Sequence, residues 1–344
     1  METLNAVPDP QSPTPPAPER HLEATLNLQR KAALARGGAI DHAGRVRVVP
    51  MEDFDMSRTI FGGLEGALPR MVMQDKLAKE AFWSDPAVLE IEAAYAKSQA
   101  ERPAPPIDQR LVDFMVDECD FSMEHADGTF LEHLVFCHDY SAKYYPEHSA
   151  NVALLHSILG TATNTFAMEA KKIPDLKALL TDFEALHVEA FPSTLRLFYD
   201  GRFLQELTAN LHRLDSLAAL KCHRVIDNAP LEMDAEQMWI NLNFHLMHFV
   251  DFVPPANWAA HRSDPLLQQF EAVSKLLDAA GQRQAKVDVT FPSGPALPKG
   301  ERITAAGVLS EAIPSSVKMT LARKSIRKYS DRIGHDLGYT LVWR

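Results

Sequence analysis

Cysteine is scarce in this chain of 344 residues, and the three present, Cys119, Cys137 and Cys222, are scattered and odd in number. A disulfide scaffold is thereby excluded, and a reducing compartment, the cytoplasm, is expected. No stretch approaches the roughly 18 to 20 consecutive apolar residues that a membrane helix needs, so no stable membrane insertion is expected. The opening METLNAVPDP lacks the basic start and apolar core of a secretory leader. Positive charge is in deficit: 35 Lys and Arg stand against 46 Asp and Glu, a formal charge of −11, which argues against a generic nucleic-acid binder. GxSxG, Walker, Rossmann and HExxH patterns are all missing. What remains is ordinary soluble material, 46% hydrophobic and 24% charged, long enough for a sizeable core.

Six prolines fall within residues 1–20 among polar neighbours, a composition that resists helix and strand and predicts a disordered tail. A helical extension follows over 21–106. It comprises a helix from His21 to Arg36 stopped by Gly37-Gly38, a short strand at RVRVVP, a helix from Met71 to Trp83, and a helix opened by Asp85-Pro86. The break ERPAPPI leads into a helical core over 107–284. Its helices are expected at Asp108–Cys119, Thr129–Tyr145, Ser149–Leu159, Pro174–Ala190, Gly201–Ile226, Asp234–Phe252 and Pro265–Ala280. The only strand signals are short, such as KVDVTF at 286–291. Residues 285–344 read as a loop followed by a basic helix, Ser315–Arg332, with Lys318, Arg323, Lys324, Arg327, Lys328 and Arg332 against Asp331. This helix suits either docking on the acidic body of the protein or contact with an anionic surface, and the first is preferred. The fold class expected is mainly α.

Histidine is where chemistry concentrates. Ten of the fourteen lie between His125 and His248, inside the helical run. His133 sits at the margin of an apolar helix face beside Phe130, Leu134 and Cys137, and His156 is surrounded by Leu154, Leu155, Ile158 and Leu159 and must turn inward. Imidazole is the commonest nitrogen ligand for first-row metals, but a buried ring with a hydrogen-bond partner is an equal reading of both positions. Cys137, one turn from His133, is a soft donor or inert core. His125, His138 and His148 flank acidic or turn residues and are expected in solvent, whereas His187, His212, His245 and His248 read first as core-margin residues of long helices. Ser157 reads as a small packing residue or as a hydroxyl facing a substrate.

The stretch VDECDFSMEHADGTFLEHLVF followed by VALLHSILGT resembles the start of HD-domain proteins, nearest to the myo-inositol oxygenase-like branch and to bacterial HD-like proteins with HS in place of HD. The resemblance covers about 50 residues closely. It implies an HD-domain-like helical bundle with a metal held by His133, His156, His187, His212 and Asp251, with Asp215 a rival to Asp251, and with Ser157 and Asn164 contacting substrate. Ser157 stands where the family has its bridging aspartate, which weakens a two-metal site, and the literal pair His138-Asp139 falls on the wrong helix position. The implied cofactor is one transition metal, iron, and the implied activity is an oxygenase or hydrolase acting on a small organic substrate. A homo-oligomer is left open. The alternative is a metal-free HD-like scaffold serving as a ligand-binding or protein-interaction module.

Because a proline-rich polar segment contributes little burial, deleting residues 1–20 is expected to leave the thermal unfolding midpoint unchanged, as read by circular dichroism on the full and truncated chains.

Overall fold

The structure, a computed structural model, describes residues 28, 30–39, 85–119, 124–125, 128–162, 168–252, 265–289 and 312–344. The expected tail, RVRVVP, the 71–83 helix and Asn164 lie outside the described residues. The chain is mainly helical, as the periodicity predicted. Among the described residues the helices are α1 over 30–36, α2 Asp85–Glu101, α3 Gln109–Cys119, α4 Phe130–Tyr144, α5 Asn151–Leu155, α6 Ile173–Ala178, α7 Asp182–Asp200, α8 Arg202–Ala209, α9 Ala235–Phe249, α10 Pro265–Ala279 and α11 Ser315–Ile333. No helix among the described residues is long and apolar enough to cross a membrane.

Helix α9 is the axis of the fold. Its sequence MWINLNFHLMHF carries apolar residues on every side, with Asn241, Asn243, His245 and His248 among them, and every residue from Met238 to Phe249 is buried. Such a helix is stable only when covered all round, and α4, α5, α7, α10 and a small sheet pack against it. Asp234 begins it with a capping box, accepting from the Gln237 N–H at 2.8 Å while the Gln237 carboxamide oxygen accepts from the Asp234 N–H at 2.9 Å.

Two stretches depart from the expected helices. Pro174–Ala190 is divided, because Thr181 and Glu184 form a second capping box that restarts the helix as α7. Glu184 also accepts from Ser149 Oγ at 2.5 Å and Asn151 Nδ2 at 2.8 Å, so the start of α7 is tied to the start of α5. Helix α7 then runs through Pro192, and ends at Gly201 with φ +81°. Gly201–Ile226 is not one helix: α8 ends at Asn210, and a 3-10 segment Leu211–Ser216 leads into strand β4, Leu217–His223. Strand β4 pairs antiparallel with β5, Pro230–Asp234, and with β7, Thr340–Trp343. Apolar residues alternate closely enough along LAALKCH to bury Leu217, Leu220 and Cys222, and Asp227-Asn228 supplies the turn, with Asn228 at φ 58°. The pairing partner at 340–343 is more than a hundred residues away, so tertiary pairing overrides a locally helical pattern. Two further strand pairs are minimal: β1, Gly38–Ala39, with β6, Asp288–Val289, inside the expected 286–291 strand, and β2, Glu124–His125, with β3, Gly128–Thr129.

Buried apolar residues form a main cluster around α9 and a second one joining α3 (Leu111, Met115), Leu134, Leu154, Leu155, Ile158 and α6 (Ile173, Leu176). The basic helix α11 docks on α7, as preferred from sequence: Arg327 pairs with the buried Asp200, and the Arg196 guanidinium lies 5.0 Å from the Tyr329 ring.

At Gly201 an added Cβ would meet the Arg323 guanidinium at 2.7 Å as well as an unfavourable φ. Gly201→Ala is therefore expected to destabilise the protein by about 1 to 2 kcal/mol, measured as a lower urea midpoint at unchanged m-value.

Candidate metal centre

The seam between the two apolar clusters runs through α4 and α5, and the polar side chains gather on it. On α4, His133 and Cys137 stand one turn apart on one face, with Leu134 in the second cluster and Phe136 in the main one. At the end of α5, His156 is the C-cap residue, and its Nδ1–H donates to the Ala153 carbonyl at 2.6 Å. That bond fixes the tautomer and leaves the Nε2 lone pair facing outward from the helix. His133 is fixed in the same manner from the other side: its Nδ1–H donates to Asp251 Oδ2 at 2.8 Å. The two Nε2 atoms then face each other at 3.4 Å, and the Cys137 Sγ lies 3.9 Å from both ring nitrogens of His133. His133, Cys137 and His156 are all buried, and their donor atoms lie within 4.8 Å of one another.

Helix α9 supplies the remaining wall. His248 presents its ring edge to His133 at 5.4 Å between centroids and packs on His156 at 4.4 Å. Three residues on, a 3-10 turn Val250–Phe252 carries Asp251 to His133. Asp251 is in turn gripped by Arg30 of α1, Nε to Oδ1 and Nη2 to Oδ2, both at 2.9 Å. Phe191 of α7 closes the far side, 4.9 Å from His156 and 3.9 Å from His245 between centroids.

Electrostatics follow from this packing. Burial opposes charge on His133, but Cys137 and the Asp251 carboxylate outweigh it and push its pKa up to about 10. Burial raises the Cys137 thiol, while His133 pulls the other way. Burial would also raise Asp251, yet Arg30 and His133 hold it well below the usual carboxylate range.

The residues singled out from sequence are distributed as follows. His133, His156 and Asp251 come together. Asp251 reaches the group through Nδ1 of His133, as an orienting carboxylate rather than beside the facing nitrogens. Ser157 is buried one residue beyond His156. His187 is buried elsewhere, in a hydrogen-bonded chain along the α7–α9 interface. There His245 Nε2–H donates to Thr194 Oγ1 at 2.7 Å, the Thr194 hydroxyl donates to Asn241 Oδ1 at 2.7 Å, and Asn241 Nδ2 reaches His187 Nδ1 at 3.3 Å. His212 is exposed on the 3-10 segment after α8, and so is Asp215, because the helix expected to carry them inward ends at Asn210. His138, expected in solvent, is buried against Asp139, with Nδ1 and Oδ1 3.0 Å apart. His148 is half-buried and stacks on Phe183 at 5.3 Å. Cys137, weighed from sequence as a soft donor or as inert core, stands within the donor group, and His248, weighed as a core-margin residue, packs against it. Arg30 was missed; it lies 221 residues from Asp251 and no local pattern marks it.

The donor set could hold a metal ion. Two nitrogens bound to a single ion at about 2.1 Å in tetrahedral geometry stand about 3.4 Å apart, which is the separation of the two Nε2 atoms, and a thiol lies alongside. No protein family, curated protein or solved structure matches this chain.

The buried histidines give stability a sign on each side of neutrality. Burial lowers His187 to about 3 and His335 to about 4, and depresses His245 as well, so these rings are neutral when folded. Below the unfolded value near 6.5 the unfolded chain takes up protons that the folded chain refuses, and stability falls with pH by about 1.4 kcal/mol per unit for each such ring. His133 has the opposite sign: its stabilisation is complete below 6.5 and is lost as pH rises toward about 10. Urea midpoints of the metal-free protein between pH 5 and 9 are expected to peak near pH 6.5 to 7. His187→Gln should reduce the acid-side slope and leave the alkaline side unchanged.

Proposed function

We propose that the protein is a metal-dependent enzyme of HD-like type that holds one transition-metal ion at His133, His156 and Cys137 and acts on a small organic substrate. The observation that carries this reading is the pair of imidazoles, each anchored through Nδ1, whose Nε2 atoms face each other at 3.4 Å beside a buried thiol. A metal ion between the two nitrogens would satisfy both of them. Asp251 orients His133 and raises its basicity, the role that outer carboxylates play for metal-bound histidines. Imidazole and sulfur donors suit iron or zinc better than magnesium or manganese, and iron is the metal that the HD-like resemblance implies. When bound, such an ion would supply Lewis acidity or dioxygen activation to an oxygenase or hydrolase reaction. The chain's own part is to hold both rings in one tautomer and to keep water out through Phe191 and the surrounding aliphatic residues. Ser157, at the next position after His156, is the hydroxyl we assign to substrate contact.

A second reading is supported by the same geometry. With His133 charged up to a pKa of about 10, an Nε2–H of His133 could donate to His156 across the same 3.4 Å, and the centre would be the metal-free core of a binding scaffold.

Metal content by mass spectrometry on untagged protein separates the two readings. About one equivalent of iron or zinc is expected after reconstitution with ferrous iron or zinc. His156→Ala is expected to reduce it to background while leaving the helical circular-dichroism signal intact. Wild-type protein that stays metal-free under these conditions would establish the proton-sharing form and remove the enzyme reading.

A further inference from the structure

We infer that Arg30 is a positioning residue of the centre and that α1, which carries it, is the element that opens to give access. The inference rests on His133, His156 and Cys137 being the working site. All three are buried, as are Asp251 and His248, so nothing reaches the Nε2 atoms unless an element moves. Arg30 is more open to solvent than the carboxylate it grips, its side chain 15% exposed against 3% for Asp251.

The attachments of α1 differ between its two ends. At its C-terminal end it is tethered to α4. There Tyr144 Oη donates to the Leu34 carbonyl at 2.6 Å, Ala33 and Leu34 join the main core, and Gly37, at φ +81°, lies so close to the Tyr144 ring that a Cβ would be 2.8 Å from Cε1. Toward its N-terminal end Arg30 holds it to the body of the protein through the two-pronged pair with Asp251 and by lying 5.9 Å from the Phe136 ring. Between these ends α1 packs mainly on α2 in a small cluster of its own, Leu28, Ala32 and Ile91 with Val88, reinforced by Lys31–Glu92 at 2.7 Å and by Arg36–Glu90. Helix α2 is itself tied near the same end of α4, through Arg102 Nη1 to the Lys143 carbonyl at 3.3 Å. The α1–α2 pair is thus a cap hinged at the end of α4 and latched by Arg30. Because Asp251 also orients His133, the latch and the ring share one carboxylate: releasing Arg30 both opens the cap and loosens the tautomer lock.

Cys137 reports the opening directly, since its sulfur stands inside the centre, and Cys222, buried on β4 away from the cap, is an internal reference. The test is alkylation of the full-length, chelator-treated protein with iodoacetamide, followed by peptide mass mapping. In Arg30→Gln, Cys137 should be modified at least 10-fold faster than in wild type while Cys222 is unchanged. Arg30→Lys should fall in between, because an ammonium cannot grip both carboxylate oxygens as the guanidinium fork does. Cys137 modified at the wild-type rate in Arg30→Gln, or Cys137 and Cys222 rising together, would overturn the latch. Hydrogen exchange on the wild type gives an independent measure: amides of 30–36 should exchange as a group faster than those of Met238–His248, and equal protection would refute an opening cap. Neither measurement needs metal, so a metal-free result bears on the proposed function alone and the cysteine rates bear on the cap.

Discussion

Burying charge is expensive unless every charged group has a partner, and the centre of this protein is a chain of four side chains that meet that condition together. Arg30 grips Asp251, Asp251 accepts from His133, His133 faces His156, and His156 donates to its own helix. Removing one member leaves a neighbour buried with an unmet charge or hydrogen bond, so the chain fixes the relative placement of α1, α4, α5 and the end of α9. It also explains why the group sits on the seam between two apolar clusters. Neither cluster alone encloses these residues, and the packing of one against the other is what excludes water from them.

The same logic governs α9, whose interior polar residues are each answered by a specific partner. Asn243 accepts from the N–H groups of Gln284 and Ala285, both at 2.9 Å, and so pins the loop after α10 to the axis of the fold. Asn241 joins Thr194 and His187 across the α7 interface. His248 and Asp251 continue the helix into the centre. An all-apolar helix could slide or rotate within its surroundings, whereas these polar contacts define one register, and the positions of His248 and Asp251 depend on it.

Local features made part of this legible in the sequence. VALLHSIL turns His156 inward because four aliphatic neighbours leave it no other direction, and the i, i+4 spacing of His133 and Cys137 places them on one helical face. Asp251 was reachable because it follows His248 by three residues, a spacing that survives the change from α to 3-10 geometry. His187 and His212 were joined to the group by family spacing, and the structure separates them for different reasons. His187 follows the capping box of α7 into a different polar network. His212 lies beyond Asn210, where the chain leaves helix for a strand whose partners are distant in sequence. Arg30 could not be read at all: its role exists only once a helix near the start of the chain has folded over a turn near residue 251.

Ser157 gives the proposed centre its character. The residue after His156 is a hydroxyl rather than a carboxylate, and the carboxylate that is close by, Asp251, is occupied by Arg30 and His133. The group is left with two imidazole nitrogens and a sulfur, a softer set than carboxylates provide. Hard ions that favour oxygen ligands are disfavoured by such a set, and two ions have no carboxylate to share. The proposed centre is therefore that of a single, nitrogen- and sulfur-held ion, with the Arg30 guanidinium joined to it through Asp251.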